Sequence, residues 1–243
     1  MSDEENHWIE GQNQKYDNVD FKFNFNSLVG DMFGVLFGQD KFTQYLERKL
    51  FQHAKNKLEG FLNTTLEFQS IPSIEQEVIW TRNIRLASLF LALLFTCKDT
   101  PEEQFEFFQS QLSLNSVTKY IMSIVKPKQL ITGKTIHEHF YPIFASKEEE
   151  EYYDQLLIDS KKLKMFPLID LRMLTLAILF YSEYEENVSP CTSYRDFLLR
   201  IFQKRQQLKN PEFNVMNLYF EMIERLKVFS TFEGFSRTWN AIK

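Results

Sequence analysis

The sequence predicts an all-α protein, and three observations carry that prediction. Turn formers are scarce, with 7 Gly and 7 Pro in 243 residues, so the many short turns of a β sandwich cannot be built. Aromatic side chains make up 16% of the chain, including 25 Phe, which calls for a large core. Apolar residues recur every three or four positions over long stretches, and no alternating run exceeds four residues outside 20–26.

Each element follows in order. Residues 1–20, MSDEENHWIEGQNQKYDNVD, hold no sustained period and are expected to form a mobile acidic and polar tail, leaving 21–243 as a single helical domain. From Phe42, apolar side chains at Leu46, Leu50, Ala54, Leu58, Phe61 and Leu62 line one face of a long helix that ends near Phe68, before Pro72. Ser73 and Gln76 have capping-box spacing for the next helix, which starts polar and is apolar all round from Leu86 to Phe95. Thr100, Pro101 and Glu103 repeat the start signal, and a short helix is expected near 117–125 within the poorly patterned stretch 113–145. Ser146 with Glu149 is a third box, and the acidic run Glu148 to Glu151 suits the positive end of a helix. Three further helices are expected: Asp170 to about Tyr184, about Ser193 to Leu208, and Pro211 to about Phe232 capped by Asn210. Their expected buried faces are Phe197, Ile201 and Leu208, then Phe213, Met216, Phe220 and Ile223.

Charge narrows the partners. A formal charge of −5, from 28 basic and 33 acidic residues, is wrong for a surface that binds phosphate backbones, so no direct nucleic-acid contact is expected. The longest apolar run, Leu86 to Cys97, is shorter than the roughly 20 residues of a membrane helix. With no apolar leader near Met1, the reading is an intracellular protein with no membrane partner. Cys97 and Cys191 cannot build a disulfide framework and read as buried thiols, which makes the sequons at Asn63 and Asn187 chance matches.

Motifs for chemistry are incomplete. His137 and His139 share one face of an extended segment but lack advertised further ligands, so no metal is expected. Gly133-Lys134-Thr135 has Lys128 where a phosphate loop needs glycine, and Gly30, Gly34 and Gly38 read as close helix packing. No nucleophile elbow or paired-carboxylate signature occurs; the expectation is no catalytic residue and no cofactor.

A resemblance adds to this reading. Phe68, Ile71, Glu75 and Gln76, between a long helix and an apolar one, fall at the spacing of the signature of nuclear receptor ligand-binding domains. Asp170, Leu171 and Leu174, followed by an aliphatic run to Phe180, resemble that family's eighth helix. The chain is similar to the family over roughly residues 40–232, as a divergent, nematode-type member without the zinc-finger DNA-binding module. Either the chain is a fragment of a longer receptor or it belongs with receptors that lack that module, and the acidic start at Met1 fits a true N-terminus. The resemblance implies a three-layer antiparallel helical sandwich and transcriptional regulation from the nucleus, with the cytoplasm as a second location. Its implied partners are a lipophilic small molecule and a coregulator or another nuclear receptor. Pocket walls would come from Phe51, Ala54, Leu58, Ser88, Leu89, Ala92 and Phe95, for each of which plain core packing is the rival role. Asn63, Gln76 and Trp80 would bound a partner groove.

Two departures bear on mechanism. Asn63 stands where the family carries a basic residue that clamps a coactivator helix, and the C-terminal segment Gly234 to Lys243 lacks the family's acidic activation-helix pattern. Two rival functions stay open beside the pocket: a ligand-free scaffold that dimerises through the 211–232 helix, and a helical adaptor unrelated to transcription.

Overall fold

The computed structural model describes residues 2–18, 39–95, 144–182 and 189–242, and no strand occurs among them. The helices are α1 Asp3–Asp17, α2 Gln39–Thr64, α3 Leu66–Gln69, α4 Ser73–Val78, α5 Ile84–Phe95, α6 Lys147–Ser160, α7 Leu168–Leu179, α8 Pro190–Gln207, α9 Val215–Thr231 and α10 Glu233–Asn240. A π-helical turn, Ile79–Asn83, joins α4 to α5, and a 3-10 turn, Lys161–Met165, follows α6. The protein is therefore all-α. The readings at 20–26, 100–103 and 117–125, at Gly30, Gly34, Gly38, Gly133, His137 and His139, and at Cys97 lie outside the described residues.

Where the sequence suggests one domain, contacts group the chain into two compact units. The first comprises Met1–Val19, Lys57–Leu91 and Met165–Ser230. Its centre is α7, in which every residue from Asp170 to Leu179 is buried; a helix without a wet face must be surrounded by others. Helix α8 is opened by Ser189, whose hydroxyl accepts from Thr192 N at 3.1 Å, with Pro190 at the first helical position. The buried stripe of α9 is Val215, Tyr219, Met222, Ile223 and Leu226. That corrects the expected stripe: Phe213 precedes the helix, which starts four residues later than expected, and is half-buried, and Phe220 faces out, one position past the buried Tyr219. Its cap is Asn214, which accepts from Asn217 N at 3.2 Å, whereas Asn210 accepts from Glu212 N within the preceding turn. Leu208 also departs, lying 82% exposed just past the end of α8.

Residues 3–17 are not an unstructured tail. Ser2 and Glu5 form a reciprocal capping box, 3.2 Å from Glu5 N to the Ser2 hydroxyl and 3.1 Å from Ser2 N to the Glu5 carboxylate. Helix α1 buries Ile9, Gln12 and Tyr16. The periodic signal was thin because one of those three positions is a glutamine.

The second unit comprises Asp20–Asn56, Ala92–Lys164 and Thr231–Lys243. Half of the expected box at the start of α6 forms: Glu149 N donates to the Ser146 hydroxyl at 3.2 Å, but the Glu149 carboxylate does not return to Ser146 N. The Glu149 side chain reaches back to Ala145 N at 2.8 Å and also accepts from Gly234 N at 3.2 Å, so one carboxylate serves the N-termini of α6 and α10. Helix α10 had no counterpart in the sequence reading; it buries Phe235 and Trp239, with the Phe235 ring 5.5 Å from Phe51.

Candidate functional site

The corner after α2 holds the proposed partner groove and the first signature block. Thr65 breaks the helix, its hydroxyl donating to Phe61 O at 2.7 Å. Phe68 and Ile71 are buried where the chain turns into α4. The expected Ser73–Gln76 capping box is absent: Pro72 is the N-cap and no side chain caps α4. Gln76 instead points its amide backwards, donating to Ile71 O at 2.8 Å and Phe68 O at 3.3 Å. Phe68 O also accepts from Ile71 N at 3.1 Å in the turn, and a primary amide has two donors with which to reach both carbonyls. The amide that was to face a partner thus holds the corner closed. Trp80, half-buried on the π-helical turn, meets Phe68 edge-to-face at 5.5 Å, and Asn63 is exposed near the end of α2. Leu66 and Ile74, each 71% exposed, flank the corner.

The π-helical turn has a definite use. It aims the buried Asn83 amide at the carbonyls that α7 leaves open at its end, with Nδ2 2.6 Å from Tyr181 O and 3.0 Å from Leu179 O.

The second signature block sits at the start of α7. Asp170 is 1% exposed; its Oδ1 accepts from Arg205 Nε and its Oδ2 from Gln206 Nε2, both at 2.5 Å. Burial pushes the carboxyl above its ordinary range, and the bonds to Arg205 and Gln206 pull it part of the way back. Leu171 and Leu174 are core residues of α7. Cys191 is buried with its thiol donating to Phe180 O at 3.0 Å, and burial pushes it up to about 12. It is an unreactive thiol.

Five of the seven pocket candidates are buried side chains. Leu58, Ser88 and Leu89 are 0% exposed in the first unit, and Phe51 and Ala54 are buried in the second. The side chains of Ala92 and Phe95 lie outside the described residues. The Ser88 hydroxyl has no hydrogen-bond partner among the described residues.

An opening the sequence did not announce lies along the second half of α8. It is a surface groove of about 450 Å³ lined by Asp196, Arg200, Gln203, Phe213, Asn214 and Met216, among others. It mixes charge of both signs and carries no reactive pair. Gln203 is its fixed point, donating to Phe213 O and accepting from Val215 N at 2.6 Å.

Among the described residues no group of three His, Cys, Asp or Glu side chains could hold a metal, and no helix is long and apolar enough to cross a membrane. The chemistry available at these joints is recognition: buried hydrogen bonds, aromatic edges and charged rims. Comparison with protein-family models and with curated protein sequences gives no match.

Proposed function

We propose that this chain is a nuclear receptor-like ligand-binding-type domain that regulates transcription from the nucleus through surfaces for a coregulator or another receptor. The supporting observation is that the residues carrying the resemblance occupy two load points of the first unit. Phe68 and Ile71 fill the corner that Gln76 ties, and Asp170 anchors α7 on α8. On this reading the helices stack as a three-layer antiparallel sandwich.

The test is a reporter assay. The full chain fused to a heterologous DNA-binding module should raise or lower transcription from the matching promoter. No change in either direction, with the fusion present in the nucleus, would leave the adaptor reading.

Two forms of the proposal differ in the pocket. Side chains at 0–2% exposure at Phe51, Ala54, Leu58, Ser88 and Leu89 favour the ligand-free form, a scaffold whose core replaces the ligand. Native mass spectrometry separates the two. The filled form gives the chain mass alone; a copurified lipid-like mass restores the lipophilic-ligand form.

A further inference from the structure

Helix α1 is held in a groove of the first unit at both ends. At its start Glu5 meets Lys204 at 2.6 Å, and at its end Asp17 makes two bonds to Arg172, at 2.8 and 3.2 Å. Between them Trp8 lies edge-on to Phe197 at 4.7 Å and Tyr194 at 5.8 Å, and Ile9, Gln12 and Tyr16 are buried. The Tyr16 ring meets two cations, with Lys57 Nζ and the Arg172 guanidinium each 5.1 Å from its centre. The groove therefore selects a particular helix: an acid at each end and an aromatic and aliphatic stripe between.

The seat is nonetheless imperfect. Gln12 bonds Glu67 at 3.2 Å through its amide nitrogen. The other polar atoms there, Gln12 Oε1, Glu67 Oε2 and the hydroxyls of Tyr16 and Tyr194, are buried without hydrogen-bond partners among the described residues. A void of about 10 Å³ remains among Trp8, Ile9, Gln12, Tyr16, Arg172 and neighbouring side chains. Lys57, fully buried, has the carbonyl of Asp17 as a long 3.4 Å acceptor, and burial lowers its amine to about 8. Buried polar atoms without partners oppose the seating of α1, while the ion pairs fix its register.

We propose that the α1 seat is a helix-docking groove kept occupied by the protein's own N-terminal helix, and that its partner is an acidic amphipathic helix of the same pattern that displaces α1. The charge complementarity of Lys204 and Arg172 to acids at the two ends of the helix argues for this occupant. A tethered helix competes at high effective concentration, so docking in trans is weak until the tethered copy is loosened.

The probe is a fluorescein-labelled peptide of residues 2–18, titrated by anisotropy against the full-length chain and against the full-length double variant Trp8→Ala, Asp17→Asn. The peptide should bind the variant at least tenfold more tightly than the parent, and a peptide carrying the same two changes should bind neither. Equal binding to both chains, or no binding to a variant that keeps its helical circular dichroism, overturns the proposal. Should the variant not fold, hydrogen exchange on the parent decides: amides of residues 6–17 should exchange at least tenfold faster than those of 171–179. Exchange of both segments at one rate overturns it.

Discussion

Two buried polar joints of the first unit, the Asp170 anchor and the α1 seat, use similar residues and reach opposite states. Each Asp170 oxygen has a donor, Arg205 on one side and Gln206 on the other. The α1 seat leaves hydroxyls, an amide oxygen and a carboxylate oxygen without partners among the described residues. A buried polar group without a partner costs about 1–3 kcal/mol, whereas one with its hydrogen bonds made is roughly neutral to mildly favourable. The difference teaches that burial alone does not make a joint permanent; completeness of its hydrogen bonding does.

Breaking the complete joint should have the largest effect. Asp170→Ala strands Arg205 and Gln206 and should cost about 3–5 kcal/mol, read as a lower urea midpoint. A loss under 1 kcal/mol would mean that the anchor bears little.

The next effect has the opposite sign and belongs to the α1 seat. Lys57→Met removes a buried cation and should raise stability by about 2 kcal/mol at pH 7. The unfolded lysine holds its proton to its ordinary value of 10.5 and the folded one only to about 8. Unfolding therefore takes up a proton between those values, and the parent gains stability as pH rises through that window. The advantage of Lys57→Met should then shrink from pH 8 toward pH 10. An advantage that is constant with pH would show that the lysine is not charged at the cost of burial.

A pair of tyrosines sharpens the comparison at the scale of single atoms. The Tyr219 hydroxyl donates to Ala177 O at 3.1 Å, so Tyr219→Phe should cost about 1 kcal/mol. The Tyr194 hydroxyl is buried without a partner among the described residues, so Tyr194→Phe should change stability by under about 0.5 kcal/mol or raise it. Thermal melts of the two variants, measured side by side, test whether hydrogen-bond completeness is the deciding variable; equal losses would break the comparison.

Much of the helical framework was legible because it rests on local chemistry. The buried Ala54, Leu58, Phe61 and Leu62 of α2, the strongly apolar α5 and the Ser146 hydroxyl that accepts from Glu149 N are patterns that neighbours along the chain decide. The α1 helix was legible in principle, from Ser2 and Glu5 at capping-box spacing, yet its buried face includes a glutamine and gives little hydrophobic period. At α4 the same spacing misled. Ser73 and Gln76 fit the box, but Gln76 turns to the carbonyls of the corner, a demand set by how the chain bends there. Likewise Asn210 and Asn214 are equivalent by type, and packing chose the second.

The sequence by itself determined the helical class, most helix positions and the positions of Phe68, Ile71 and Asp170, because periodicity, capping and apolar spacing act within a few residues. Tertiary structure alone decided which polar groups are satisfied. Asp170 meets donors 35 and 36 residues away, and Asn83 meets carbonyls 96 and 98 residues away. It also decided that Leu58, Ser88 and Leu89 are fully buried and that, among the described residues, the α1 seat leaves polar atoms without partners. Those outcomes depend on where distant backbone places a donor to within a few tenths of an ångström, and no local pattern encodes that distance.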